Sequence, residues 1–137
     1  MTKITELTSL ATEFRKAIEV SDKKALGASF ENFPRGSCGD AALLLGAFLT
    51  DAGVPSLIYV CGQRGERSHA WIEAEGTIID ITADQFEDSN ARVIVAKSSP
   101  WHRIFKRQDD NFADFRQYDE QTVFRLSVAY HEILSRL

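Results

Sequence analysis

The chain has 137 residues, enough for one domain with a substantial buried core and short for two, so a single domain spanning 1–137 is expected. Hydrophobic residues make up 44% and charged residues 26%, which excludes a disordered or collagen-like chain. Lys and Arg number 16 against 20 Asp and Glu, for a net charge of -4 without a basic stripe, which argues against nucleic acid as a partner. The N-terminal residues carry no apolar core of signal-peptide length, and no apolar run approaches the roughly 18 residues of a membrane span, so a cytoplasmic protein that does not engage a membrane is expected.

From Ile4 to about Ser21 the apolar residues Ile4, Leu7, Leu10, Ala11, Phe14, Ala17 and Ile18 recur at three and four, the period of an amphipathic packing helix. Asp22 to Asn32 reads as a connection leading through Phe33-Pro34 to Cys38. From Gly39 to Ala52 the chain is almost continuously apolar, which predicts a helix buried on most sides, stopped by Gly53 in the left-handed capping position with Pro55 just beyond. Ser56 to Gly62 is a β-branched and aromatic strand, and the polar run Gln63 to Arg67 interrupts it. His69 to Ala74 and Thr77 to Thr82 predict a hairpin around Glu75-Gly76, with Ala91 to Lys97 as a fourth strand of an antiparallel sheet. The stretch from Ser98 to Phe115 has no clear period, and Glu120 to Leu137 predicts a closing helix. The fold class is therefore α+β, with an N-terminal helix, a central helix opening at Cys38, a small antiparallel sheet and a C-terminal helix.

Cys38 is the candidate nucleophile. A helix N-terminus carries roughly half a positive charge and unpaired N–H groups, which bias a thiol toward thiolate. His69 and Asp80 follow in the order a Cys-His-Asp triad needs. In the hairpin, His69, Trp71 and Glu73 share one face while Ala70, Ile72 and Ala74 share the other. If Glu75 and Gly76 form a two-residue turn, Trp71 pairs with Asp80, and His69 and Asp80 become diagonal neighbours on one face. A three-residue turn would send Asp80 to the opposite face. The apolar face, with Ala70, Ile72, Ile79 and Ile81, is expected to cover the buried helix, leaving the other as a chemical face toward which the start of the Cys38 helix must open. With these roles, His69 takes and returns the thiol proton, Asp80 orients the ring, and an acyl-thioester forms on Cys38. The N–H of Cys38 is a natural oxyanion donor, and Asn32, Gln63 and Gln85 are the side-chain candidates for the same task. Trp71 is expected to pack on the sheet and wall the cleft.

At Gly36-Ser37-Cys38, His69-Ala70-Trp71-Ile72-Glu73 and Gly76-Thr77-Ile78-Ile79-Asp80-Ile81-Thr82 the chain resembles the papain-like and transglutaminase-like cysteine enzymes. The resemblance covers about Phe33 to Phe86 and implies a cysteine helix packed on a sheet bearing His and Asp. It also implies hydrolysis or transfer at an amide of a peptide or protein substrate (protease, deamidase or acyltransferase) with no metal or cofactor. The small bacterial leader peptidases of lasso-peptide biosynthesis are similar in size and triad order, although their cysteine continues as Cys-Leu-x-Arg-Ser where this chain has Cys38-Gly39-Asp40-Ala41-Ala42.

Three rival readings stand beside this one. A binding or immunity-type module could keep the same fold without turnover. The two cysteines, Cys38 and Cys61, could form a redox pair, although Cys61 reads as a core residue; a zinc site would need them with His69 and a carboxylate, at spacings that put no two ligands on one local element. Among the other polar residues, Asp84 is a rival third member placed past the strand, Glu73 and Glu75 read as solvated, and His102 beside Trp101 could line the cleft but reads first as a surface-loop residue. Oligomeric state is left open by the sequence.

Overall fold

Five helices and a six-stranded antiparallel sheet make up the structure, a computed structural model that describes residues 2–108 and 110–137. Helix α1 (Ile4–Val20) buries Leu7, Ala11, Phe14, Ala17 and Ile18, the stripe expected from the sequence. The connection after it holds a short helix, α2 (Lys23–Leu26), whose N-cap Asp22 accepts from Lys24 N–H. Helix α3 (Cys38–Asp51) buries Ala41 to Ala47 and Leu49 almost without interruption, and Gly53 follows it at φ 89°. Helix α5 (Glu120–Leu134) closes the chain, with its N-cap Asp119 accepting from Thr122 N–H.

The sheet runs β4 (Ile94–Ala96), β3 (Thr77–Asp80), β2 (Arg67–Ala74), β1 (Leu57–Arg64) and β5 (Lys106–Arg107), with β6 (Asn111–Phe112) also paired to β1. Several boundaries differ from the sequence reading, among them β4, which is shorter than Ala91 to Lys97 at both ends. Gln63 and Arg64 continue β1 and pair with Ser68 and Arg67, so only Gly65-Glu66 form the turn; Gly65 to Ser68 at this end of the hairpin are exposed, where polar residues cost little. Strand β3 stops at Asp80, because the Asp80 side chain accepts from Thr82 N–H and diverts the backbone into a short 3-10 turn, Ala83–Gln85. The region from Ser98 onward, without a clear period, contains a one-turn helix, α4 (Pro100–Arg103), and the broken edge strand β5 and β6.

The β2-β3 register is the one a two-residue turn requires. Ala74 pairs with Thr77, Glu73 with Ile78 and Ile72 with Ile79, around Glu75 at φ 49° and Gly76 at φ 84°, the positive angles of a type I′ turn. Ile72, Ala74, Ile79 and Ile81 accordingly face the main core, packed with α1, α3 and α5. The opposite face is not open, as the sequence reading had it. Val60, Trp71, Ile78, Phe86 and Phe105 form a second, smaller core over it, because the chain after β4 folds back across that side.

Helix α3 lies tight against the segment leading to α5, and a Cβ built on Gly46 would run into the Ala113 carbonyl oxygen. Gly46→Ala should therefore destabilise the protein by about 1–3 kcal/mol through overpacking, although alanine is the better helix former by about 1 kcal/mol. Urea denaturation checks this; a neutral or stabilised variant contradicts the close approach.

Candidate functional site

Cys38 is the first residue of α3 and is partly exposed. Its N-cap neighbour Ser37 gives the helix no side-chain cap and donates instead to the Pro34 carbonyl at 3.0 Å. The first-turn N–H groups are left without that partner. Asp40, in the same turn, accepts from Ser29 Oγ at 2.6 Å and from Arg125 Nη1 at 2.6 Å, which ties the helix start to its surroundings.

The His69 ring, the Gln85 amide and the Ala70 backbone N–H are the neighbouring groups that act on the Cys38 thiol. Burial pushes the thiol up, yet these three partners outweigh it and hold Cys38 below its ordinary value. His69, fully buried on β2, donates from Nε2 to Asp80 Oδ2 at 2.7 Å. Its other nitrogen, Nδ1, is 2.9 Å from the Gln85 amide nitrogen. Burial disfavours a charged ring, but the Asp80 carboxylate and then the Cys38 sulfur overcome it and push His69 up to about 9. Asp80 is itself only 1% exposed, and burial pushes its carboxyl up; His69 and His102 outweigh that and hold it well below the usual carboxylate range.

Of the oxyanion candidates, Gln85 reaches the thiol and the ring. The strand stop at Asp80 brings it back, and Arg15 holds the turn by donating two hydrogen bonds to the Asp84 carboxylate at 2.8 and 2.9 Å. Asp84 is thus the partner of a buried arginine and not a third member. Gln63 is not in the site: its side chain donates to the Gly65 carbonyl at 3.0 Å in its own turn. Asn32 is exposed and, with Phe33, Pro34, Arg35, Gly36 and Asp84, lines a cleft of about 780 Å³ beside the loop that leads to Cys38. Trp71 packs on the sheet and lines a pocket of about 250 Å³ with Glu73, His102 and Phe105. It is buried behind His69, ring centres 5.7 Å apart, and its indole N–H donates to Glu73. Glu73 is buried rather than solvated, and Arg107 pairs with it at 3.1 Å.

The sequence reading missed His102. It is 3% exposed, not a surface-loop residue, and its Nε2 lies 2.7 Å from the same Asp80 Oδ2 that accepts from His69 Nε2–H. Ser99 followed by Pro100 is a helix-start signal, an N-cap serine with proline at the first position, and it could have shown that His102 sits on a folded turn. Tyr59 was missed as well. A Cβ on Gly39 would lie 3.3 Å from its hydroxyl, so this phenol packs against the first turn beside Cys38; burial first, then Cys61 and Cys38, push its pKa up. Cys61 pairs with Ala70 in the sheet and is a free thiol, as is Cys38.

His69, Asp80 and His102 lie within 4.8 Å of one another at their facing atoms, close enough to be weighed as metal ligands. The facing atoms are already joined by proton-sharing contacts of 2.7 Å, and no buried side-chain nitrogen or oxygen among the described residues lacks a partner. Among the described residues no helix is long and apolar enough to cross a membrane. No protein-family model, curated protein or solved structure matches the chain.

A charged His69 paired with Asp80 stabilises the fold below the ring's unfolded value of about 6.5 and loses that contribution as pH rises through about 9. Asp80, held low, stays ionised over this window, and its own contribution is lost only on acidification below the ordinary carboxylate range. Asp80→Asn should therefore cost about 3 kcal/mol near pH 6, the cost of breaking a buried pair, and less at pH 9. Urea denaturation at the two pH values measures the gap; an equal gap at both means Asp80 does not stabilise the ring as a cation.

Proposed function

We propose that this protein is a thiol-dependent enzyme of papain-like or transglutaminase-like organisation that acts on an amide bond of a peptide or protein. The observation that carries the reading is the divided imidazole of His69. One nitrogen is committed to a buried carboxylate, and the other, 2.9 Å from the Gln85 amide, is left for a neighbouring thiol at the uncapped start of a helix.

In this chemistry the Cys38 proton passes to His69 Nδ1, and the thiolate attacks the amide carbon. The C–S bond forms as the carbonyl π pair moves to oxygen. The Cys38 N–H and the Gln85 amide face that oxyanion, and Gln85 is free for it once Nδ1 carries a proton and no longer accepts. Collapse of the intermediate expels the amine, which takes the proton from His69 and leaves a thioester on Cys38. Water then gives hydrolysis or deamidation, and an amine gives transfer.

The pH dependence of Cys38 alkylation by iodoacetamide tests the reading. The wild-type limb should lie well below the ordinary thiol value of about 8.5, and His69→Ala should return it there and slow alkylation at pH 6.5 by about tenfold or more. Coincident limbs near 8.5 defeat the proposal. Intact mass after mixing with p-nitrophenyl acetate should then show an acetyl group on Cys38. A reactive thiol that never acylates favours the binding-module reading instead.

A further inference from the structure

His102 is a buried imidazole that the chemistry above does not use, and its surroundings fix it at both ends. Ser99 Oγ is the N-cap of α4, accepts from His102 N–H at 3.3 Å and also contacts His102 Nδ1. At the far side of the ring, Nε2 meets Asp80 Oδ2 at 2.7 Å. An ionised carboxylate only accepts, so the His102 proton facing it is on Nε2. Trp71 and Trp101 hold the ring edge to face, each with centres 4.8 Å away.

Asp80 itself takes three donors from three sources. Thr82 N–H is two residues away and moves with the Asp80 backbone. His69 is the ring to be oriented and cannot also be the reference that orients it. The remaining donor, His102, comes from a separate element 22 residues on. We infer that His102 is a positioning residue: through its Nε2–H it fixes the Asp80 carboxylate so that Oδ2 faces His69, completing the chain Ser99, His102, Asp80, His69, Cys38. This inference rests on the thiol-enzyme reading. Loss of the His102 donor lets the carboxylate tilt, weakens its hold on the His69 cation, and thereby weakens the thiolate that the cation supports.

The test compares His102→Leu, which keeps bulk without a donor, with His102→Gln, whose amide nitrogen can stand where Nε2 stands. The readout is the pH profile of Cys38 alkylation by iodoacetamide in the whole protein, with and without EDTA. In His102→Leu the limb should move up by about one pH unit or more, a fall of about tenfold in rate near neutrality, with the rate at pH 10 unchanged. His102→Gln should stay within about threefold of wild type, since the donor is what the carboxylate needs. Near-UV circular dichroism reports folding. Should His102→Leu not fold, Ser99→Ala leaves the ring but frees it, and should move the limb in the same direction. A depressed wild-type limb shared by a folded His102→Leu, or by Ser99→Ala where it must stand in, overturns the inference alone. So does a His102→Gln as impaired as His102→Leu, or a wild-type limb that moves on chelation. A wild-type limb in the ordinary thiol range overturns the thiol-enzyme reading beneath it.

Discussion

The Asp80 carboxylate is the constraint on which the rest of the site depends. Removing an ionised carboxylate from water costs several kcal/mol, and a charge with almost no exposure persists only if the fold surrounds it with donors. Each of its donors has a structural consequence. Thr82 N–H ends strand β3 and starts the turn that returns Gln85 to the His69 ring. The His102 contact docks the one-turn helix α4 against the sheet, and with it the aromatic residues of the smaller core. The His69 contact leaves Nδ1 as the only nitrogen of that ring able to face the sulfur. One buried charge thus sets where the strand stops, where the turn goes and which way the imidazole points.

The strand stop also explains how a thiol on the helix side of the sheet reaches a histidine on the opposite face. The Cys61 carbonyl accepts from Gln108 N–H at 2.8 Å, on the side of β1 away from β2. Its cross-strand partner Ala70 must then turn its own N–H away from β1 as well. A longer β3 would take that N–H into its ladder. With β3 ending at Asp80, no strand takes that N–H, and it is one of the groups that lower the Cys38 thiol.

Much of this arrangement was legible in the sequence, for local reasons. The apolar run before Gly53 marks the buried helix, and two-residue parity around Glu75-Gly76 places His69 and Asp80 on one face from alternation alone. What was not legible depends on contacts far apart in the chain. The polarity of Gln63 and Arg64 reads as a loop, but strand ends at a sheet margin tolerate polar residues. Glu73 reads as solvated until Arg107, 34 residues away, is found across from it. His102 has no period around it, and its burial follows from Asp80 needing a donor, a demand that no local pattern encodes. Gln85 could be named as one of three amides, but only the Asp80 turn and the Arg15 to Asp84 pair single it out.

The surroundings of His69 differ on its two sides, and the difference bears on the proposed chemistry. Phe86, Trp101, Trp71 and Phe105 stand 5.1 to 5.8 Å from the ring centre, and Arg64 lies over three of these rings while bridging to Asp88 at the surface. Water is excluded from this side, which strengthens the attraction between ring and carboxylate. A proton on Nε2 has only Asp80 to go to, and Asp80 is held too strongly as an anion to keep it. Nδ1 faces the partly exposed sulfur and the Gln85 amide. On the proposed chemistry, exchange is therefore confined to Nδ1, so the proton taken from Cys38 is kept where a departing amine can collect it. The aromatic shell, the second histidine and the strand stop all serve that one-sided exchange.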